Sequence, residues 1–212
     1  MGMGISLSSM DEKMSKSTRV FNDISSKLSR EKDLQTQLAI VVEGAMDLTS
    51  ADAGTLYSIF EHQLLKFEVV LNHTLDLNKK APEIDFPGIP IHEDGVANAS
   101  MVVVNSVLLE KSILIDDIYN EDSYNFSGTR AFDEKTGYRT HSVLTVPIFD
   151  FEKKIIGVIQ LINAQDSDGQ IRVFNDNDKE LVNLFVLQTA FTLSSKILID
   201  KQKALFKSIQ QP

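Results

Sequence analysis

Hydrophobic and polar positions alternate most regularly between Phe132 and Asn163, FDEKTGYRTHSVLTVPIFDFEKKIIGVIQLIN. Within His141–Phe149, Leu144, Val146 and Ile148 share one face while Val143 and Thr145 share the other, a two-residue period that predicts a strand. Ile155–Asn163 repeats the pattern, Ile155, Ile159 and Leu161 opposing Ile156, Val158 and Ile162. Both faces of this antiparallel hairpin are apolar, whereas a half-solvated sheet would be polar on one side. The hairpin is therefore expected at the centre of a sheet covered on both faces. Thr145 and Gln160, the polar residues within it, then need hydrogen-bond partners.

The period changes towards the termini. From Ser17, Val20, Ile24 and Leu28 recur every fourth residue. Leu34, Leu38, Val41, Ala45 and Leu48 follow, which predicts a helix ending near Thr49-Ser50. Ala53–Phe60 and Leu64–Asn72, joined by Glu61-His62-Gln63, predict a first hairpin. His73 to Pro90 carries Pro82, Pro87 and Pro90 and reads as an irregular excursion over one sheet face, of the kind that forms lids. Ile89-Pro90-Ile91 is a short extended piece, and Glu93-Asp94-Gly95 is expected to open a helix from about Gly95, acids suiting a helix start. A brief strand at Ile113–Ile115 and a short helix around Arg130–Lys135 lead into the central hairpin. After the turn-rich AQDSDGQIRV, Asn175 or Asp176 is the expected N-cap of a long last helix. That helix is apolar nearly all round from Leu181 to Ile199, more than one sheet face can bury. It predicts a bundle with the N-terminal helix and a symmetry mate, the plainer alternative being that the two terminal helices of one chain cover each other.

Composition narrows the function. Cysteine is absent, which removes disulfides, thiolate metal sites and cysteine nucleophiles. No run of about 18 apolar residues exists and the polar start lacks a signal-peptide core, which predicts a soluble cytoplasmic protein with no membrane partner. The formal charge of −9, with no basic stripe longer than Lys79-Lys80 or Lys153-Lys154, argues against nucleic acid. The four histidines, His62, His73, His92 and His141, occupy four different elements with no metal-ligand spacing. The pairs Asp116-Asp117, Glu121-Asp122 and Asp133-Glu134 read as solvated loop acids. G-x-S-x-G, G-x-x-x-x-G-K-[ST] and H-E-x-x-H are all missing, so no catalytic or metal-ligating residues are assigned.

Several ordered motifs resemble the GAF domain family over roughly Gln35 to Ile199: Ala51-Asp52-Ala53-Gly54-Thr55-Leu56-Tyr57, Asp94-Gly95-Val96-Ala97, Asp116-Asp117-Ile118-Tyr119-Asn120, and TGYRT, SVLTVPI and GVIQLIN in the central stretch. The resemblance implies an α+β fold, an α/β sandwich. Its central antiparallel six-stranded sheet has the terminal helices on one face and short helices and loops over a pocket on the other. The chain then divides into a disordered segment 1–16, a GAF sensor domain 17–200 and the start of a linker, 201–212.

The pattern is similar to that of GAF domains in cyclic nucleotide phosphodiesterases and bacterial regulators. Carried over by position, it implies ligand contacts from Thr55, from Leu71 and Asn72, from Val96 and Ala97 at a helix start whose amides approach a phosphate, from Asp133, Thr136 and Thr140 on a closing loop, and from Gln160. For Thr136 and Thr140 the plainer alternative is a turn cap, and for Gln160 a satisfied core amide. The family's Asn-Lys, Phe and Asp-Glu positions read Asn163-Ala164, Phe174 and Asp178-Lys179 here. The lysine that would pair with Asp178 is gone, leaving Arg172 or Lys179 to replace it. The implied function is a regulatory sensor of a small molecule such as a cyclic nucleotide. It would act as a homodimer through the terminal helices and pass its signal to a covalently linked output domain. The tail ALFKSIQQP resembles a linker to a metal-dependent phosphohydrolase of the HD-GYP type. The competing reading is a structural dimerisation module without a ligand; a methionine-sulfoxide-reducing enzyme of this family would need cysteines.

Overall fold

The computed structural model describes residues 7–60 and 64–210. In chain order the elements are α1 (Leu7–Arg30), α2 (Leu34–Thr49), β1 (Ala51–Phe60), β2 (Leu64–Asn72), β3 (Leu77–Lys80), β4 (Ile89–Pro90), β5 (His92–Glu93), β6 (Val96–Ala97), α3 (Val102–Leu109), β7 (Ile113–Ile115), α4 (Ser127–Thr136), β8 (Val143–Phe149), β9 (Ile155–Gln165), β10 (Ile171–Arg172) and α5 (Asp176–Gln210). The loop Glu61-His62-Gln63 and the first six residues lie outside the described residues, and the chain is helical from Leu7.

Six antiparallel strands run in the order β3-β2-β1-β9-β8-β7, with β10 added beside β9 and β4 beside β2. On one face Leu56, Leu144, Val146, Ile148, Ile159 and Leu161 pack against Leu38, Val42 and Ala45 of α2, Val182, Phe185 and Leu193 of α5 and Ile24 of α1. Gly44 marks where the three helices meet: a Cβ there would come within 2.6 Å of Phe185 and 2.8 Å of Ile24. On the other face Tyr57, Val143 and Val158 pack against Val103 and Val104 of α3, with Ile115, Ile118 and Phe126. The central hairpin is thus covered on both sides, as its double apolar alternation requires.

Three local expectations are corrected. The single N-terminal helix is two, because Asp33 leaves the helical conformation and caps α2 through Thr36 N–H. The helix expected from Gly95 is instead the β5–β6 hairpin, with Glu93 opposite Val96 and His92 opposite Ala97. Asp94 and Gly95 both take positive φ, the signature of a two-residue hairpin turn. Finally, a register shift between Ile148 and Phe149 exchanges the faces of two neighbours. Ile156 joins the helix-side core and Ile155 packs on the other, the reverse of their strict alternation.

The last helix opens on a reciprocal cap, Asp178 N–H donating to Asn175 Oδ1 at 3.1 Å and Asn175 N–H to Asp178 Oδ2 at 3.0 Å. Its two parts, Asp176–Leu187 and Ala190–Lys203, are inclined at 50°. Among the described residues no single helix is long and apolar enough to cross a membrane.

Candidate ligand-binding site

A cavity of about 290 Å³ lies between the sheet and the layer of α3, α4 and their loops. Its floor is Ala53, Thr55 and Tyr57 of β1, Gln160 and Ile162 of β9, Val143 of β8 and Phe67, Val70, Leu71 and Asn72 of β2; Met101, Val102, Val103, Phe126, Thr129 and Phe132 roof it, and Phe86 and Ile89 close one side. No Asp, Glu, Lys, Arg or His is among the described residues lining it. The volume sits at the lower end of the range for small-molecule sites, and mostly apolar walls with a few placed polar groups are typical of them.

Strand pairing sets those polar groups in a row. Thr55 lies opposite Gln160, which lies opposite Thr145, and Gln160 Nε2 donates to Thr145 Oγ1 at 3.2 Å. This answers the partner problem that Thr145, fully buried, raised in the sequence. A primary amide can make up to four hydrogen bonds, so Gln160 keeps capacity for a ligand. Asn72 is more committed, its Oδ1 accepting from Leu75 N–H at 2.9 Å.

The roof supplies a different chemistry. Helix α3 begins after Met101, whose backbone is extended and whose side chain makes no cap bond. The first intrahelical bond runs from Asn105 N–H to Met101 O. Val102, Val103 and Val104 therefore present N–H groups without an intrahelical acceptor, and Val102 and Val103 line the cavity. Amides at the positive end of a helix dipole can hold an anion without a cationic side chain.

Of the nine residues expected to contact a ligand, Thr55, Leu71, Asn72, Thr140 and Gln160 line this cavity and Val96, Ala97, Asp133 and Thr136 do not. Val96 is 70% exposed on its hairpin; the helix start that faces the cavity lies several residues further on. Asp133 is buried and turned to the protein, accepting from Tyr119 Oη at 3.0 Å, Thr140 N–H at 2.8 Å and Thr140 Oγ1 at 2.9 Å. Thr140 thus lines the cavity with its hydroxyl proton already given to Asp133. Thr136 donates to Phe132 O at 2.8 Å on the exposed end of α4.

Beside the cavity a buried polar network fixes the loop between α4 and β8. Tyr138 Oη donates to Asp52 Oδ2 at 2.7 Å and accepts from Asn163 Nδ2 at 3.0 Å. Asn163 also donates to Arg139 O and accepts from His141 N–H, while Thr74 holds the other oxygen of Asp52. Burial pushes the Tyr138 phenol above its usual range, and the bond to Asp52 adds to the rise. Burial also raises Tyr57, where Thr55 opposes the effect through a hydrogen bond. His141 stands 3.7 Å from Asp117, His92 is on β5, and no group of three His, Asp or Glu among the described residues could hold a metal.

Several lining residues had escaped the sequence reading. Tyr57 faces the cavity by strand parity, which was legible, but Phe67 is turned into it by a β-bulge at Glu68, and Phe86, Met101 and Phe132 reach it from loops and short helices with no period to place them.

A GAF domain family model matches residues 33–193, the span that holds the sheet, the cavity and the first half of α5. The chain belongs to the GAF domain family. Members of this family are small-molecule-sensing regulatory modules. The chain is 24% identical over 168 residues, 79% of its length, to a cGMP-specific 3',5'-cyclic phosphodiesterase of Drosophila sechellia. It is 30% identical over 87 residues, 41% of its length, to a probable 3',5'-cyclic phosphodiesterase of Caenorhabditis elegans. It spans only 13% and 11% of those proteins. Among solved structures, the GAF domain of an Acinetobacter phosphoenolpyruvate-protein phosphotransferase superposes with a TM-score of 0.62 at 14% identity, covering 87% of this chain and 97% of that one. A free methionine-R-sulfoxide reductase of Neisseria meningitidis in complex with its substrate gives 0.54 at 12%, covering 88% and 91%. Identities this low show the shared fold.

The departure at the family's Asn-Lys, Phe and Asp-Glu positions has a structural answer. Arg172 on β10 forms a fork with Asp178, Nη1 to Oδ2 at 2.6 Å and Nη2 to Oδ1 at 3.0 Å. It also donates to the carbonyls of Thr49, Gln165 and Val173. Lys179 pairs instead with Asp176.

Proposed function

We propose that this GAF domain is the sensing module of a larger cytoplasmic signalling protein and that its cavity takes a small anion of the cyclic-nucleotide class. The observation that carries the reading is one cavity holding both an uncapped helix start and, on the facing sheet, an amide-hydroxyl row. The amides of Val102 and Val103 suit a phosphodiester, and Gln160 with Thr55 suits the edge of a purine. With no cationic side chain among the described residues of the lining, the counter-charge comes from the helix dipole, worth about half a charge. A singly charged cyclic phosphate fits that better than a dianionic monoester. The cGMP-specific phosphodiesterases among the relatives lend the same class support.

Signal output would pass through α5. Leu184 and Leu187 on its first part and Phe191, Leu198 and Leu205 at seven-residue spacing on its second are each more than half exposed. An apolar stripe of that spacing supports a homodimer seam. A covalently linked output domain following a linker that starts in 201–212 completes the proposal; for an HD-GYP-type phosphohydrolase the tail sequence is the sole support.

Calorimetric titration of ligand-stripped protein with cyclic GMP and cyclic AMP tests this. Saturable binding of at least one is expected, weakened about tenfold, or about 1.4 kcal/mol, by Gln160→Leu. Absence of heat and of thermal stabilisation with both would leave the dimerisation module as the better account.

A further inference from the structure

We infer that three consecutive residues of β2, Lys66, Phe67 and Glu68, form a joint that transmits the state of the cavity to α2 and α5. The pairing of β1 with β2 passes from Leu56 opposite Val69 to Tyr57 opposite Phe67, so Glu68 is the extra residue of a β-bulge. A bulge bends its strand and re-aims side chains. Here it sets Phe67 into the cavity wall and turns the next carboxylate to the opposite face, where Glu68 is 1% exposed.

Each side of the joint has its own contacts. On the cavity side, Phe67 packs on Tyr57 with ring centroids 4.6 Å apart and on Phe86 at 5.4 Å. Phe86, 41% exposed, belongs to the irregular segment over the cavity. That segment is tied to the bulge by Ala81 N–H donating to Glu68 O at 2.9 Å. On the helix side, Glu68 accepts from Ser58 Oγ at 2.7 Å and from Gln35 Nε2 in the first turn of α2 at 2.9 Å. Lys66 Nζ stands 3.5 Å from Glu68 and 3.8 Å from Asp200 of α5, which pairs with Lys196 on the same helix.

A buried carboxylate held by two elements and approached by one lysine cannot follow a shift of its strand without losing partners. Motion of Phe67 or Phe86 on filling or emptying the cavity therefore changes the same contacts that fix the start of α2 and the Lys196–Asp200 turn of α5. The functional sense of the joint rests on the ligand-sensing reading above, but the mechanical coupling can be tested without a ligand.

The test is hydrogen–deuterium exchange of the whole chain in four forms: unsubstituted, Phe86→Ala, Glu68→Gln and the double variant. Phe86→Ala is expected to speed exchange on the order of tenfold in the first turn of α2 and around Lys196–Asp200, local opening being read directly by this measurement. In the Glu68→Gln background the same substitution should add nothing at those two places. Loosening confined to the segment around Phe86, or an α2 and α5 response undiminished by Glu68→Gln, would overturn the inference. Should Glu68→Gln fail to fold, Gln35→Leu cuts the α2 link alone and must abolish the α2 response. A parallel arm with cyclic GMP separates the two claims. Protection missing from α3 and α4 counts against the ligand, while the mutational arms still decide the joint.

Discussion

Single residues around the cavity divide into those that face it and those that hold its walls. Tyr138 does both, lining the cavity while its hydroxyl bridges Asp52 and Asn163. Its phenol is raised above the ordinary 10.0, so the folded state keeps a proton that the unfolded state releases first. The stability this contributes is complete below about pH 10 and is lost as pH climbs towards the folded value. Urea denaturation from about pH 7 to about pH 11 should show stability falling above pH 10, and Tyr138→Phe should make that fall shallower while costing about 1–3 kcal/mol at neutral pH. An unchanged slope would mean that this phenol does not titrate as its surroundings require. Asp133 and Thr136 show why side-chain roles on a short helix were the least legible in the sequence. A carboxylate and a hydroxyl beside a cavity suit either a ligand or the backbone, and only the three donors that converge on Asp133 settle its role as a wall holder. Thr55 and Gln160 were easier to place, because strand parity decides which way a mid-strand residue points.

At the scale of elements, long periodic segments could be read and short ones could not. The two hairpins β1–β2 and β8–β9, and the long last helix, follow from sustained alternation or four-residue spacing. The break between α1 and α2 falls in the polar run Ser29–Asp33, where Leu28 and Leu34 stand six positions apart; because the four-residue spacing resumes beyond it, the two segments read as one helix. The β5–β6 hairpin was masked because an acid followed by glycine signals either a helix start or a tight turn, and two-residue strands carry no period to choose between them. The last helix also depends on an element too short to predict. Strand β10 delivers Arg172 to Asp178 and to three backbone carbonyls, joining the end of α2, the edge of the sheet and the first turn of α5. Asp178 is almost fully buried, and removing the partner of such a charge costs several kcal/mol. Arg172→Met is therefore expected to lower stability by about 3 kcal/mol in chemical denaturation. A loss below about 0.5 kcal/mol, the usual range for an exposed site, would show that the fork does not replace the family's lysine.

The whole molecule places its two layers of helices in different roles around one sheet. One layer, α1, α2 and α5, packs a continuous apolar core and carries the exposed stripe suited to a partner. The other, α3 and α4, leaves a cavity that has a helix start and, among the described residues of its lining, no charged side chain. The measurement that tests this division most directly is the amide spectrum of isotope-labelled protein titrated with cyclic GMP. Shifts are expected to concentrate at Val102, Val103, Thr55 and Gln160, with smaller ones along Lys66–Glu68 into the start of α2. A spectrum that does not move, or that moves only at the β8–β9 turn and the outer face of α5, would contradict it.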